Sequence, residues 1–154
     1  MRAVIQRVSS ASVTAHDHSA TIENGLLVLL GIEREDARED VEYIARKIRE
    51  LRVFDEPGRG FSQSVQETGG EVMIVSQFTL AADCRKGRRP SFDDAAPPDE
   101  ARPLYESVVQ GLTAAGVTVA TGQFRAMMQV SLVNDGPVTL LLDSRKQFSP
   151  RRTM

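Results

Sequence analysis

The residues that could do chemistry in this chain are few, and they fall into two groups. The first is Ser76-Gln77-Phe78-Thr79-Leu80-Ala81, directly after the apolar run Val72-Met73-Ile74-Val75. A strand that ends in hydroxyl and amide side chains can turn them, together with backbone N–H groups, toward one point, as an oxyanion or small polar ligand requires. The competing reading packs Phe78 in the core and lets Ser76 and Thr79 satisfy nearby backbone groups. The second group is Asn134-Asp135-Gly136-Pro137-Val138-Thr139, set between the strand-like runs Gln129 to Val133 and Val138 to Leu142. Alternating apolar residues on either side of Asp-Gly predict a turn between two strands. Pro137 complicates this, because it has no N–H for a ladder and holds φ near −65°; the return must be an edge, a bulge or something less usual. Gly136 lacks the Cβ that would crowd whatever approaches its backbone.

The usual nucleophilic machinery is missing from view. His16 and His18 are the only histidines and lie in an apparent turn, so a Ser-His-Asp or Cys-His arrangement would need that turn folded over a site. Two imidazoles without a convincing third ligand read as solvated turn residues, and neither a metal nor any other cofactor is expected. Cys84 neighbours Arg85 and Lys86, which would favour its thiolate, yet a lone loop cysteine reads as a bystander. Arg85, Lys86, Arg88 and Arg89 form the densest basic cluster, either a solvated face or a phosphate contact, with Arg145, Lys146, Arg151 and Arg152 as a second contact. A formal charge of −2 and a pI of 5.7 exclude a generic polyanion binder, so any nucleic-acid contact must be local.

These groups need a scaffold, and 154 residues suffice for one domain, here placed at 1–143 with a polar, flexible tail at 144–154. The single cysteine and the lack of a signal-like or membrane-length apolar run point to the cytoplasm and no membrane contact. Arg2 to Val8 and Ala11 to Thr14 read as two strands, and Asn24-Gly25 as a hairpin turn into Leu26 to Ile32, apolar on both faces and therefore central. From Asp36 the period changes: Val41, Ile44, Ala45, Ile48 and Leu51 share a helical face, with Asp36 and Glu39 as a capping box. Val53 and Phe54 return as a strand, and Val72 to Phe78 forms the next. Ala82 to Pro98 is a long loop, of the kind that is functional or mobile. A second helix spans about Asp99 to Ala115, with Pro103 in its first turn or resetting its start, and Gly116 at its C-terminal cap. Val117 to Val119, Met127 to Val133 and Val138 to Leu142 complete the strands. The class expected is α+β: a strongly curved, barrel-like, mainly antiparallel sheet with two helices packed outside it.

The two hexapeptides in this order, with Arg89-Pro90-Ser91-Phe92 between them, resemble the D-aminoacyl-tRNA deacylase family, which carries a Gly-cisPro motif. The resemblance runs from Ala3-Val4-Ile5-Gln6-Arg7-Val8 to about Leu142. It implies a homodimer with active sites at the subunit interface and hydrolysis of D-aminoacyl-tRNA; glycine has no side chain to exclude, so hydrolysis of glycyl-tRNA is expected as well. It also implies that Ser76, Gln77, Phe78 and Thr79 line the catalytic pocket and that Gly136 and Pro137 exclude L-aminoacyl groups in the partner's site. Met128, Asn134, Val138 and Thr139 would then assist substrate binding. Two enantiomers present the same ester and ammonium, so a rigid wall where the L side chain would project is a physically sensible discriminator. With no base evident, the resemblance implies that water or the ribose hydroxyl assists; Thr79 as covalent nucleophile is the rival mechanism. A tRNA 3′-end binding or editing accessory domain without turnover is the alternative function. Arg59 to Val65 and the long tail depart from the family pattern.

Overall fold

The computed structural model describes residues 1–148. Eight strands and three α-helices follow the order β1 (Arg2–Thr14), β2 (Ser19–Ile22), β3 (Gly25–Gly31), α1 (Arg38–Glu50), β4 (Arg52–Glu56), β5 (Arg59–Ser64), α2 (Val65–Thr68), β6 (Glu71–Ser76), α3 (Pro98–Ala114), β7 (Thr118–Thr121) and β8 (Gln129–Asp143), with 3-10 turns at Phe78–Ala81 and Ser144–Phe148. Six strands make one sheet in the order β2-β1-β3-β6-β7, with β8 on β1, while β4 and β5 form a separate ribbon. The sheet curls until β2 also approaches β6 and β7. It is mixed: antiparallel pairing dominates, through β1 with β2, β3 and β8, but β3 pairs β6 and β6 pairs β7 in parallel. The cause is connectivity: α1 with the β4–β5 ribbon carries the chain from β3 to β6, and α3 carries it from β6 to β7, the long crossovers that parallel pairing needs.

The central strands bury both faces, as their unbroken apolar sequence predicts. Leu26, Val28 and Leu30 of β3 and Val72 and Ile74 of β6 face α1 and α3, whereas Leu27, Met73 and Val75 face the inside of the curl. β1 serves both cores by a change of parity. Ala3 and Ile5 lie on the helix side, but Val8, Ala11 and Val13 lie on the inner side. Opposite β8 the register steps from Val8↔Asn134 to Ser10↔Val133, so Ser9 is an extra residue and the strand flips its faces there. The two strands expected at Arg2 to Val8 and Ala11 to Thr14 are therefore one strand with a bulge.

Helix α1 buries Val41, Ile44, Ala45 and Ile48. Its cap lies one residue beyond the expected box: Ala37 N–H donates to the Asp40 carboxylate at 2.8 Å, while Asp36 accepts from the Met1 ammonium and from Glu33 N–H, each at 2.7 Å. Burial pushes the Asp36 carboxyl up, against the pull of that ammonium. Ser144 is wholly buried, its hydroxyl 3.0 Å from the same ammonium, and Arg145 lies 3.7 Å from Glu33. The segment expected to be a flexible tail thus begins on an anchored residue; Arg151 and Arg152 lie outside the described residues. Helix α3 starts at Pro98 and holds Pro103 inside it rather than in its first turn. No described helix is long and apolar enough to cross a membrane.

Tyr105 ties α3 to the sheet, its buried hydroxyl donating to Ile74 C=O at 3.1 Å. Burial first, and the Glu106 carboxylate second, push the phenol up to about 12 from an ordinary 10.0. A proton held more tightly in the folded chain gives stability that is complete below pH 10 and lost as the pH climbs through about 12. Urea unfolding should therefore register a decline of about 2 to 3 kcal/mol across that window. Tyr105→Phe should cost about 1 kcal/mol at neutral pH and remove this part of the alkaline decline. Parallel alkaline curves for the two proteins would refute the assignment.

Candidate active site

The parallel strands β3, β6 and β7 end on the same side, and the chain beyond each of them contributes to one cavity of about 400 Å³. Ile32 follows β3, Ser76 and Phe78 end β6, and Phe124 and Arg125 follow β7. The loop before α3 closes the cavity with Phe92, Ala95, Ala96 and Pro97, and the helix start adds Pro98 and Ala101. Crevices outside the carboxyl ends of parallel strands are where such sheets bind ligands, because the loops diverge there.

Gln77 N–H continues the sheet by donating to Leu30 C=O at 2.8 Å, and the chain then tightens into the 3-10 turn. The ladder of that turn begins with Leu80 N–H on Gln77 C=O at 3.2 Å, which leaves Phe78 and Thr79 N–H outside it. The Gln77 amide also donates to the Thr79 hydroxyl, fixing that side chain beside those donors. Phe78 is not a core residue. Its ring is 56% exposed and meets Phe92 edge to face at 5.2 Å, forming an aromatic cavity wall. Phe124 forms another, held 5.5 Å from Tyr105 and capped by the Arg102 guanidinium at 4.6 Å. The cavity lining contains no carboxylate and no imidazole. It can therefore enclose a flat apolar group and offer hydrogen bonds from Ser76 and the turn, but it supplies no strong side-chain base.

The second sequence group takes another form. Gln129 to Val133 and Thr139 to Asp143 both pair with β1 in the same antiparallel sense, so they are halves of one strand rather than a hairpin. Pairing passes from Gln6↔Thr139 to Val8↔Asn134, and Asp135, Gly136, Pro137 and Val138 bulge out opposite Arg7. The Gly136-Pro137 peptide is cis. Asn134 braces the bulge, its amide donating to Arg7 C=O at 2.9 Å and to Val138 C=O at 3.1 Å. Arg7 donates to Asp135 C=O at 2.9 Å and to Val53 C=O at 2.7 Å. Val138 is buried in the helix-side core, and Thr139 accepts from the Gln6 amide at 3.3 Å. Within the single chain, none of Asn134, Gly136, Pro137, Val138 and Thr139 lines the cavity at Ser76 and Phe78. Met128 lies apart as well, in a groove with Thr14, His16 and Met127.

The basic loop is organised. Asp83 and Ser91 close it with paired backbone hydrogen bonds of 2.8 and 2.9 Å. Asp83 also engages Arg85 through two contacts of 2.9 and 2.6 Å, and Arg85 holds the Asp83 carboxyl down at about 2. Arg85 is thus committed to the loop, leaving Lys86, Arg88 and Arg89 exposed and without an ion pair among the described residues. Cys84 is exposed beside them. His18 lies 2.7 Å from Thr121 C=O and His16 lies 3.7 Å from Asp17.

Sequence reasoning missed Phe124, Arg125 and the Pro97-Pro98 entry to α3. A lone aromatic in the polar stretch between β7 and Met127 was the available signal for the first.

Fold and cavity together define an α+β protein with an aromatic-walled cavity at the ends of three parallel strands. The sequence profile described as D-Tyr-tRNA(Tyr) deacylase matches residues 4–143. The D-aminoacyl-tRNA deacylases of Thermosipho africanus and Koribacter versatilis are 56% and 55% identical to the chain over 149 residues, 96% of this chain and 100% of each relative. Among solved structures, one titled c-Myc DNA Unwinding Element Binding Protein superposes with a TM-score of 0.86 at 42% identity, covering 93% of this chain and 98% of that one. Another, a probable eukaryotic D-amino acid tRNA deacylase, shares the fold at TM-score 0.78 and 18% identity, covering 92% and 97%. The chain belongs to the D-aminoacyl-tRNA deacylase family and is a hydrolase.

Proposed function

We propose that the protein hydrolyses the ester that joins a D-amino acid, or glycine, to the terminal ribose of tRNA. Water adds to the carbonyl carbon, the bond to the ribose oxygen breaks, and that oxygen takes a proton, releasing the amino acid and tRNA. The observation that carries this reading is the aromatic cavity at Ser76 and Phe78, where a turn begins whose first N–H groups lie outside its ladder. Phe78, Phe92 and Phe124 suit the stacking of a terminal adenine. Phe78 and Thr79 N–H, with the Ser76 and Thr79 hydroxyls, suit the oxyanion of the tetrahedral intermediate. An aminoacyl ester is already activated, and positioning it against such donors supplies much of the rate. The ribose hydroxyl or water, rather than a side-chain base, handles the proton; Thr79 is not acylated.

The working unit is a homodimer in the cytoplasm. Strand β8 is a sheet edge on which Leu141 is 79% exposed and Val133 57%, an edge with exposed apolar residues suited to a second copy. Across that interface, Gly136 and Pro137 of the partner subunit form the wall that excludes an L side chain. Glycine has no side chain to exclude and is accepted. Pure protein incubated with D-tyrosyl-, L-tyrosyl- and glycyl-tRNA should clear the first and third and spare the second. Retention of all three esters would make the protein a 3′-end binder; clearance of the L ester would remove the wall.

Lys86, Arg88 and Arg89 contact acceptor-stem phosphates in this reading. Neutralising all three should raise KM about tenfold or more and lower the slope of log KM against log salt by about 2 to 3. The same change at Arg85 alone should do less to the slope, because Asp83 already engages it. An unchanged slope in the triple variant would leave the loop without an RNA role.

A further inference from the structure

Arg125 is the one charged side chain lining the cavity, and its backbone adopts φ 65°. That left-handed conformation suits glycine; arginine lacks even the short polar side chain with which asparagine or aspartate eases it. An unfavourable residue held at a cavity rim is a reason to look for a role there. No fold-stabilising role is evident: Arg125 is exposed and makes no ion pair among the described residues, unlike Arg102, which stacks on Phe124.

We propose that Arg125 binds the phosphodiester on the 5′ side of the terminal nucleotide and thereby fixes the direction in which the aminoacyl end enters. The inference rests on the ester-hydrolase reading. The substrate's end carries one cation, the α-ammonium, and its nearest anion is that phosphate. A guanidinium at the mouth attracts the second and repels the first. With the base against Phe78 and Phe124 and the ester at Ser76, the phosphate lies at the mouth, and the planar fork of arginine matches its oxygens.

The test compares D-tyrosyl-tRNA with D-tyrosyl-adenosine, which has the ester, ribose and base but no phosphate. The readout is the ratio of kcat/KM for the tRNA ester to kcat/KM for the adenosine ester. Arg125→Gly should lower this ratio about tenfold, equivalent to about 1.4 kcal/mol, and lower the slope of log KM against log salt by about 0.7. Its Tm should be no lower than that of the wild type, since glycine suits the backbone there. Arg125→Lys, which keeps the charge, should retain more of the ratio. An unchanged ratio in Arg125→Gly, or equal loss on both substrates, overturns the assignment. Wild-type protein inert on both esters overturns the hydrolase reading itself, and this assignment with it, a distinct outcome.

Discussion

Replacing Gly31 with alanine is expected to lower kcat for the D-aminoacyl ester by about tenfold while leaving KM within about threefold. β3 ends at Gly31 beside the start of the 3-10 turn. A Cβ on Gly31 would stand 2.9 Å from Gln77 O and 3.0 Å from Leu80 Cβ. Neither neighbour is the far end of a flexible side chain; both belong to the frame of the turn, so the turn itself must move. In the proposed reading, its movement would carry Phe78 N–H, Thr79 N–H and the Thr79 hydroxyl away from the ester carbonyl. Misplacing reacting groups by about 1 Å costs on the order of 100-fold, and the few tenths of an ångström that this contact demands cost about tenfold. Phe92 and Phe124, which would grip the base, lie on other segments and stay in place, hence the split between kcat and KM. Overpacking of this kind also costs about 1 to 3 kcal/mol, measurable as a shift in urea midpoint. A variant with normal kcat would mean that the turn tolerates displacement and does not present the oxyanion donors.

The sequence made the central strands and both long helices legible because their apolar periods are strong. Leu26 to Ile32 and Val72 to Val75 bury both faces, and Val41, Ile44, Ala45 and Ile48 form one helical stripe. Parallel pairing was not legible, because an unbroken apolar strand reads the same in either direction. The continuity of β1 was hidden too: Ser9 and Ser10 look like a break between strands, and only the register on β8 identifies Ser9 as a bulge. Short elements held by tertiary contacts, such as α2 with its Ser64 and Glu67 box, left too few residues for a period.

The site divides along the same line. Ser76 to Thr79 was legible because a polar group abruptly ends an apolar strand. Phe124 and Arg125 were not, since their place in the cavity depends on β7 ending beside β6, a fact of topology. The Gly-Pro segment was singled out, and its proline already pointed to an edge or a bulge, but the first expectation was a turn between two strands. A turn between strands and a bulge within one strand share the same Asp-Gly-Pro signal, and Arg7 on the opposing strand distinguishes them.

Arg7→Ala should lower the ratio of D- to L-tyrosyl-tRNA hydrolysis about tenfold or more, mainly through a faster rate on the L ester. The bulge of Asp135 to Val138 is opposed by a single residue, and Arg7 binds it from one side while binding Val53 from the other. Arg7 also lies 3.4 Å from Asp55 and 3.5 Å from Asp135 as an ion pair, with its side chain only 11% exposed. A wall excludes a side chain only if displacing it is costly, and these contacts are what resist displacement. Truncating Arg7 leaves the Asp135 and Val53 carbonyls without their charged donor, at a cost of about 2 to 4 kcal/mol in stability. In the proposed reading the D ester never meets the wall, so its kcat should stay within about threefold. Arg7→Lys should recover only part of the ratio, because a point charge cannot reach both sides as the guanidinium fork does. Sedimentation of each variant separates loosening of the bulge from loss of the dimer. A dimeric, folded Arg7→Ala protein with undiminished selectivity would show that the wall stands without this brace.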